Sequence, residues 1–564
     1  MPFQGRRKSH MPEIKKLRFV LFIWLTATAS ICRAIDIKAL PEQEKAMLNS
    51  TDPWGLAFSD QIARFQTCFG KDGKTDFLIG IQHNLEKIFR NKYWFRGEIS
   101  GSENGDTVKP LWTATGATAS FQVAVLPRTG ANDDHYEITV SAPVKTEVYR
   151  IEYVKLPASG YPRFSADYWP DPLVPENFAD ISGTNLAAFL VELKIPRSFD
   201  KTLFPCQVTV SNSNGRKVSA VIPVEVVRLK IEPEKYPLVA WFWNNQNFTD
   251  LQFREMCLLA LSHHLQPLTA PYLQTLWDPG NTGKFDRFFQ FLLDNGQEIF
   301  EIKKPDGDLY AHLKEKNWLD KCITYSNADE PAEETFAQKN IPYAQEMKEK
   351  YPGLKIFLAS EYHPQMEKGC DIWLTDLSSS VYDPVNFKIP KKPELWHYYC
   401  HLPIRFQMRA PLTLAPNMLI DNAALEHRLA LWMSWYYKAR GVFIYAGNSW
   451  GDIPSDFWQK MDLQAKEYKY PYAGIHNGNG FLVYPPVEKD GKVLPSLRLK
   501  ILRDGMEDIA IMEAVRKAYG DRTAAKIISP VPDVFMHTHY YDRCPEALLE
   551  KMESILKFAR GKTK

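Results

Sequence analysis

Two adjacent carboxylates, Asp329 and Glu330, are the residues of this sequence that best suit acid–base chemistry. They follow the apolar run Cys322–Tyr325, and Pro331 comes directly after them. Because a proline restricts the residue before it, we expect Glu330 to be extended and no helix to begin there. If the two carboxylates lie close together, they cannot both ionise freely, and one pKa should rise as a general acid requires. A solvated acidic loop is the alternative interpretation of such a pair.

Polar and aromatic side chains also follow other apolar runs in the second half of the chain, where Lys and Arg are scarce at the run ends. This choice of residues favours a neutral, hydroxyl-rich ligand over a phosphate. The candidate ligand-binding residues are Asn244, Tyr362, Trp396, Tyr398, Tyr445, Asn448 and Trp450. The aromatic rings have packing at a barrel rim as their alternative role, and the asparagines have turn formation. Glu361 and Asp376 are the reserve acids for a separate nucleophile.

The elements that must position these residues alternate, after Pro237, between strand-like runs and helical segments. The strand-like runs are 238–243, 268–271, 299–303, 322–325, 354–359, 371–374, 394–400 and 441–445. This alternation predicts a parallel α/β architecture, and eight units favour a (β/α)8 TIM-type barrel over 237–520, with catalytic groups at the carboxyl ends of its strands. An open doubly wound sheet is the alternative, although no glycine-rich fingerprint supports it. Residues 521–564 are expected to form a helical extension packed on the barrel.

The first half of the chain has a different pattern, with short alternating runs separated by turn residues between about residues 110 and 230. Many short strands without helical segments are typical of an antiparallel β-sandwich. We therefore assign residues 35–232 to a sandwich domain that precedes the barrel. The runs 217–222 and 223–227 are treated as two separate strands.

The N-terminus has the layout of a secretory signal, because basic residues precede the apolar run 19–32 and the small residue Ala34 follows it. We therefore expect residues 1–34 to be removed and the protein to be exported to the periplasm, cell surface or medium. Lipid attachment at Cys32 and a retained N-terminal anchor are the alternatives. Translation from either Met1 or Met11 fits this pattern.

Composition is that of an ordinary globular protein, with 45% hydrophobic residues, 24% charged residues and a formal net charge of +2. This charge, without a basic stripe, argues against nucleic acid as a partner. The chain has eight cysteines, and their scattered positions indicate free thiols rather than a disulfide framework. Neither a CxxC nor an HExxH motif occurs, so we expect no metal and no cofactor.

Several segments of the second half of the chain carry a family resemblance. They are YSNADEPAEE, ELWHYYCHLP, the stretch that begins NMLIDNAALEH and ends VFIYAGNSW, GNGFLVYPP and LPSLRLKILRDGMEDIAIM. In this order they resemble the catalytic domain of glycoside hydrolase family 123, over about residues 237–515. The sandwich resembles the domain that accompanies this family, notably at DPLVP and VELKIP.

The resemblance implies an exo-acting β-N-acetylhexosaminidase, with N-acetylgalactosamine as the expected sugar and a glycan or glycoconjugate as the substrate. It implies that Glu330 is the general acid/base and that Asp329 orients the 2-acetamido group, whose carbonyl oxygen attacks the anomeric carbon to form an oxazoline. This substrate-assisted route is an exception to the usual two-carboxylate spacing. Arg428 and the segment 503–508 match the family but are expected to be structural. The family usually has an aromatic residue at Ala446, so the sugar pocket is expected to differ there.

Two other functions remain as alternatives. One is a non-catalytic carbohydrate-binding protein on the same scaffold, and the other is a glycosidase of different sugar specificity. The intact pair of Asp329 and Glu330 argues against the first, because a binding protein does not require a general acid.

Overall fold

The computed structural model of the chain describes residues 76–90, 95, 97–127, 134–156, 167–182, 185–244, 248–303, 305–377, 391–400, 415–449, 478–486, 491–538 and 540–562. All of these residues lie in one compact unit, Asp60–Lys564. The predicted signal peptide, 1–34, lies outside the described residues, and so does Trp450.

Twelve strands are described before residue 230, and they form two packed sheets. They are β1 (Phe77–His83), β2 (Glu98–Ser100), β3 (Asp106–Thr107), β4 (Leu111–Ala114), β5 (Thr118–Pro127), β6 (Asp134–Ser141), β7 (Lys145–Leu156), β8 (Asp167–Val174), β9 (Phe178–Ile181), β10 (Ala187–Lys194), β11 (Leu203–Asn212) and β12 (Lys217–Val227). One sheet has the order β2-β1-β5-β10-β7-β8, and the other has the order β3-β12-β11-β6-β9 with β4 also paired to β12. The predicted sandwich is therefore present.

Side chains that alternate along the strands form the sandwich core. On β11, Phe204, Cys206, Val208 and Val210 are almost fully buried, whereas most residues between them face outward. Successive side chains of a strand point to opposite faces, so one face of each sheet can be apolar throughout. The first sheet contributes residues such as Phe121 to the same core.

One strand of the sandwich differs from the prediction, because 217–222 and 223–227 form a single strand, β12. Pro223 lies opposite Pro205 of β11, so the two residues that lack an N–H face each other. On its other side, β12 pairs with β3 at Val221 and with β4 from Val224 onward, which places Pro223 in the gap between them. A proline is tolerated where the neighbouring strand requires no hydrogen bond from it.

Eight parallel strands form the second sheet system, as predicted. They are β13 (Leu238–Trp241), β14 (Gln266–Leu268), β15 (Phe300–Glu301), β16 (Cys322–Tyr325), β17 (Lys355–Ala359), β18 (Ile372–Thr375), β19 (Glu394–Tyr399) and β20 (Gly441–Ala446). Neighbours follow chain order from β15 to β20, and β20 then pairs with β13 and β13 with β14. The result is a nearly closed barrel. The second strand lies earlier than predicted, since Pro271 belongs to the following helix.

Glutamine side chains bridge the edges of β14 and β15, where the sheet begins and ends. Gln266 Oε1 accepts hydrogen bonds from the backbone N–H groups of Glu298 and Ile299, both at 2.9 Å. Gln297 Nε2 donates to the carbonyl oxygen of Pro267 at 2.9 Å. These side-chain amides satisfy backbone groups that a regular strand ladder would otherwise pair.

Helices connect many of these strands and follow the last one. They are α1 (Asp250–Leu261), α2 (Ala270–Leu276), α3 (Gly283–Asp294), α4 (Gly307–Glu315), α5 (Glu333–Thr335), α6 (Ile341–Lys350), α7 (Met366–Gly369), α8 (Ala424–Tyr436), α9 (Leu497–Tyr519), α10 (Asp521–Ile528) and α11 (Pro545–Lys562), with a π-helical turn at Phe336–Asn340 and 3-10 turns at Pro233–Lys235 and Leu319–Lys321. Two short hairpins, β21 (Val483–Tyr484) with β22 (Leu494–Pro495) and β23 (Phe535–His537) with β24 (Tyr540–Tyr541), lie near α9 and α11 in sequence. Among the described residues, no helix has both the length and the apolar character to cross a membrane.

Helix α9 connects the barrel to the sandwich through buried ion pairs. Arg498 donates to Asp171 of β8 at 2.9 Å, and Lys500 donates to Glu192 of β10 at 2.8 Å. Arg503 also donates to Glu192, and all five side chains are at most 1% exposed. Burial of so many charges is stable only because each has a close partner. The segment 503–508 is thus structural, as expected.

Candidate active site

Asp329 and Glu330 lie in the loop that follows β16, at the carboxyl end of the strand. The neighbouring strand β17 holds this loop by backbone hydrogen bonds. The N–H of Ser326 donates to the carbonyl oxygen of Phe357 at 3.0 Å, and the N–H of Glu330 donates to that of Ala359 at 3.1 Å. Both carboxylates are exposed at the barrel mouth, which we define as the carboxyl ends of β13–β20.

Asn340 supports the same loop from below and was missed by the sequence analysis. Its amide is fully buried and donates to Ser326 Oγ at 2.7 Å and to the carbonyl oxygen of Ala328 at 2.9 Å. Asn340 ends the π-helical turn Phe336–Asn340, a distortion that is frequent at functional sites. The irregular turn gives no sequence signal that would have distinguished Asn340 from a surface asparagine.

Glu330 is not extended, contrary to the expectation from Pro331. Its φ is +40°, in the left-handed region that a glutamate rarely adopts. The hydrogen bond to Ala359 fixes the N–H of Glu330, while His363 Nε2 donates to the carbonyl oxygen of Pro331 at 3.1 Å. Bonds on both sides thus impose the positive φ. Backbone strain of this kind clusters at functional sites.

Tyr325 is the partner of Asp329. Its hydroxyl donates a hydrogen bond to Asp329 Oδ1. Burial, followed by this hydrogen bond and the charge of Asp329, raises the pKa of Tyr325 far above its usual range. Tyr325 is therefore a permanent donor, and it restrains one oxygen of Asp329.

The pKa of Glu330 is raised above its usual value. Partial burial is the largest cause, and the charges of Asp329 and Asp376 add to it. A carboxyl group in this environment holds its proton to higher pH and can act as a general acid. The direction agrees with the expectation for a close pair of carboxylates.

Aromatic rings line the barrel below the acidic pair. We call them the aromatic cluster: Trp241, Trp243, Tyr325, Phe443 and Tyr445. The Trp241 ring lies at its centre, with ring centroids 4.8 Å from Phe443, 5.8 Å from Tyr325 and 6.2 Å from Tyr445. Phe443 is fully buried, while the other four rings are partly exposed. Trp241 and Trp243 were not among the predicted ligand-binding residues.

Two of the predicted residues, Tyr398 and Tyr445, lie near this cluster. Tyr445 is 5.9 Å from Trp243, measured between ring centroids, and belongs to the cluster. The Tyr398 ring is 5.6 Å from that of Phe443. Burial raises the pKa of Tyr398 well above its usual range, and the charges of Asp329 and Glu330 add to this rise.

Other predicted residues lie further from the acidic pair or are engaged in packing. Trp396 is 3% exposed in the barrel core, and its ring covers Gly441 at the start of β20, where a Cβ would come within 2.8 Å. Asn448 is fully buried and binds both backbone groups of Trp243, donating to the oxygen at 2.9 Å and accepting from the nitrogen at 2.8 Å.

The remaining predicted positions have surface or outer contacts. Asn244 donates to Asp250, the first residue of α1, at 3.1 Å. The partly exposed Tyr362 ring lies 5.4 Å from that of Trp373, which is on the side of β18 opposite the core residues Ile372 and Leu374.

Ala446, where an altered sugar pocket was expected, is fully buried on β20. It follows Tyr445, whose ring points into the barrel, so Ala446 faces the outer side of the strand. The expected change of the sugar pocket at this position remains a prediction. Arg428, in contrast, has the expected structural role, since it donates to Asp508 at 2.6 Å.

Glu301 is a further acid, which faces the barrel interior and was missed by the sequence analysis. Only 5% of it is exposed, and it accepts a hydrogen bond from Trp241 Nε1 at 2.7 Å. Burial raises the pKa of Glu301 to about 7. A signal was present, because a glutamate interrupts the apolar run between Phe300 and Ile302.

One cluster of potential metal ligands exists among the described residues, outside the barrel mouth. His83, Glu86 and Glu546 place one ligand atom each within 4.8 Å of one another. His83 ends β1 of the sandwich, and Glu546 lies in the first turn of α11. The acidic pair at the barrel mouth is not part of this cluster.

Comparison with known proteins indicates the class of protein. Residues 306–515 match the family model "Glycoside hydrolase 123, catalytic domain". A family 123 glycoside hydrolase from Clostridium perfringens superposes with a TM-score of 0.59 at 13% identity, over 86% of this chain and 99% of that chain. A family 39 glycoside hydrolase from Bacteroides cellulosilyticus superposes with a TM-score of 0.31 at 11% identity, over 71% and 81%. The comparison with curated proteins gave no match.

The chain forms a barrel with an acidic pair at its mouth. Residues 306–515, which contain this pair, match the family model. Together these findings indicate a glycoside hydrolase. Residues 306–515, which include Asp329 and Glu330, are similar to the catalytic domain of glycoside hydrolase family 123. The resemblance seen in the sequence is thereby confirmed, and so is the fold, with a sandwich followed by a barrel.

Proposed function

We propose that the protein removes terminal β-linked N-acetylhexosamine from glycans, with N-acetylgalactosamine as the preferred sugar, by substrate-assisted catalysis with retention. The observation that carries this proposal is the geometry of adjacent acids on one loop. Tyr325 restrains Asp329, while burial and neighbouring charge raise the pKa of Glu330. The raised pKa suits Glu330 to the donation of a proton, and the hydrogen bond from Tyr325 suits Asp329 to the orientation of a substrate group.

In the first step, Glu330 donates its proton to the glycosidic oxygen as the bond between that oxygen and C1 breaks. The carbonyl oxygen of the 2-acetamido group attacks C1 from the opposite face, and an oxazolinium ring forms. Asp329 accepts a hydrogen bond from the acetamido N–H and stabilises the positive charge that develops there. The aglycone leaves with the proton from Glu330.

In the second step, the Glu330 carboxylate removes a proton from water, and the water oxygen attacks C1. The bond between C1 and the acetamido oxygen breaks, and the acetamido group returns to its original form. Two inversions at C1 restore the β configuration. Both carboxylates can lie on one short loop because the substrate carries its own nucleophile.

The aromatic cluster supports this function by offering apolar faces beside the acids. Trp241, Trp243 and Tyr445 are partly exposed rings that suit the C–H face of a sugar. The Tyr398 ring lies 5.6 Å from that of Phe443 in this cluster, and its hydroxyl is a donor for a ring hydroxyl or for the acetamido carbonyl.

The substrate is proposed to be a glycan or glycoconjugate outside the cytoplasm. The family 123 enzyme from Clostridium perfringens acts in glycolipid glycan hydrolysis, which supports a glycolipid as one source of the terminal sugar. The signal-like N-terminus supports export.

A panel of chromogenic glycosides tests the proposal. It contains the β-N-acetylgalactosaminide, the β-N-acetylglucosaminide and the β-galactoside of one aryl leaving group. We expect the highest kcat/KM on the first and almost no hydrolysis of the third, which lacks the acetamido nucleophile. Equal rates on the galactoside would contradict substrate assistance. Lack of turnover on the whole panel, with binding retained, would favour a carbohydrate-binding protein.

A further inference from the structure

A buried carboxylate inside the barrel, Glu301, is not explained by the reaction steps above. Glu301 lies on β15 in register with Ile323 of β16. Its neighbour Phe300 points the other way, with its ring stacked 3.8 Å from that of Phe289 between strand and helix. Because side chains alternate along a strand, Glu301 points into the barrel. Ile323 is part of the barrel core, which agrees with this direction.

Packing alone gives no reason for a carboxylate at this position. Within the described part of the chain, the Trp241 indole is the hydrogen-bond donor to Glu301, and it occupies one oxygen only. Lys303 contributes a weak electrostatic attraction but no contact. A buried carboxylate with one neutral donor is costly, and an apolar residue or an amide would serve a structural role better.

Glu301 lies deeper in the barrel than the acidic pair. Glu301 is level with Ile323, two residues before Tyr325 on the neighbouring strand. Tyr325 in turn donates to Asp329 at the end of that strand. From the interior of the barrel to its mouth, the order is Glu301, then Tyr325, then Asp329 and Glu330.

We propose that Glu301 binds the terminal sugar, by accepting hydrogen bonds from ring hydroxyls on the side away from the scissile bond, while the neighbouring Trp241 ring receives the sugar's C–H face. This inference rests on the proposed function. In an exo-acting enzyme the anomeric carbon lies at the acids near the mouth, so the opposite end of the sugar enters deepest. A carboxylate at this depth accepts bonds from adjacent hydroxyls with its free lone pairs.

The role of Trp241 follows from its bond to Glu301. Its Nε1–H fixes one carboxylate oxygen, which leaves the second oxygen to the ligand. The same indole is in edge contact with Tyr325, so a sugar bound over Trp241 lies between Glu301 and the acidic pair. Trp241 is therefore a positioning residue for Glu301 as well as a surface for the sugar.

The test combines changes in the protein with deletions in the substrate. We would measure kcat/KM of the wild type and of Glu301→Gln on an aryl β-N-acetylhexosaminide and on its 3-deoxy, 4-deoxy and 6-deoxy analogues. Glu298→Gln is the matched control, since this exposed glutamate near the start of β15 pairs with Lys321. Melting temperatures and circular dichroism would establish that each variant is folded.

We expect Glu301→Gln to lower kcat/KM on the parent sugar by about 10- to 100-fold, the effect of a hydrogen bond to a charged group. On the deoxy analogue that lacks the contacted hydroxyl, the same substitution should change kcat/KM little. Trp241→Phe, which keeps a ring but removes the N–H, should show a smaller loss with the same dependence on that hydroxyl. The control should match the wild type on every substrate.

An equal loss on all four substrates would overturn the inference, because a structural role does not depend on one hydroxyl. If Glu301→Gln does not fold, Trp241→Phe gives the same comparison. If the wild type hydrolyses other glycosides but no N-acetylhexosaminide, the proposed function fails. The same comparison, made with deoxy forms of the sugar that the enzyme accepts, then tests the role of Glu301 independently of the proposed function. If no glycoside is hydrolysed, both proposals are contradicted.

Discussion

The hydroxyl of Tyr325, the last residue of β16, donates a hydrogen bond to Oδ1 of Asp329, four residues later in the chain. The loop between them therefore turns back over the strand end, and the strand determines the position of the carboxylate. The next residue, Glu330, is fixed by its N–H bond to Ala359 of the neighbouring strand. Two strands thus define the placement of two acids before any substrate is bound.

Replacing Tyr325 by Phe tests the importance of this placement. The variant loses only the donor to Asp329, so we expect kcat to fall by about 10- to 100-fold with a small change in KM. Tyr310→Phe is the control, because its hydroxyl bonds the carbonyl oxygen of Pro352 among the outer helices. Steady-state kinetics on one aryl substrate make the comparison. A Tyr325→Phe variant with the kcat of the control would show that Asp329 does not depend on this bond.

The raised pKa of Glu330 predicts a pH dependence. A general acid must be protonated, so kcat/KM should fall as pH rises through the pKa of Glu330, which lies above the usual glutamate range. Glu330→Gln should lose this descending limb and retain activity only on aryl glycosides with good leaving groups. Rates between about pH 4 and 9 give the profile. An unchanged descending limb in Glu330→Gln would assign the titration to another group.

Asn340→Leu tests the support below the catalytic loop. The substitution keeps the size of the side chain but removes the donor to Ser326 and Ala328. Because buried acceptors are left without their partner, we expect the free energy of unfolding to fall by about 1–3 kcal/mol, together with kcat. Asn295→Leu, at an exposed position on α3's C-terminus, is the control. A loss of stability with unchanged kcat would separate Asn340 from the catalytic loop.

The buried pair of Arg498 and Asp171 predicts a stability effect without a catalytic one. Arg498→Met removes the cationic partner of the buried Asp171 and leaves it the Tyr484 hydroxyl as a donor, so we expect a loss of about 3–5 kcal/mol in the free energy of unfolding. The matched control is Arg516→Met, because Arg516 forms an exposed pair with Glu513 on the same helix. Denaturant titration measures both variants. An equal effect of the two substitutions would contradict a role for this pair in joining barrel and sandwich.

Much of the fold could be predicted from the sequence, for a physical reason. Parallel barrel strands are buried on both faces and therefore appear as short apolar runs, and all eight were found. Boundaries were less accurate, as at Pro271, because an apolar run does not show where a helix begins. The strand β12 was divided in the prediction because a proline usually ends a strand, whereas Pro223 lies at a gap between two neighbours.

The candidate site was harder to predict than the fold. The direction of a side chain and its depth in the barrel depend on the register between neighbouring strands. Trp396 and Tyr398 both point into the barrel, but Trp396 packs against Gly441 at the start of β20, whereas Tyr398 lies two residues nearer the carboxyl end of β19. The direction of Glu301 was not predicted for the same reason, since its strand has only two residues, although a glutamate within an apolar run was a signal. The positive φ of Glu330 arises from a hydrogen bond to a neighbouring strand. This bond cannot be inferred from the sequence around Pro331.

The most direct test of the central claim is the dependence of kcat/KM on fluorination of the substrate's acetamido group. Each fluorine makes the carbonyl oxygen a poorer nucleophile without changing the ring hydroxyls or the leaving group. If this oxygen attacks C1, kcat/KM should fall steeply from the acetyl to the trifluoroacetyl substrate, by at least about tenfold. A flat dependence would contradict substrate assistance and would indicate a nucleophile on the protein, with Glu361 and Asp376 as the acids to examine.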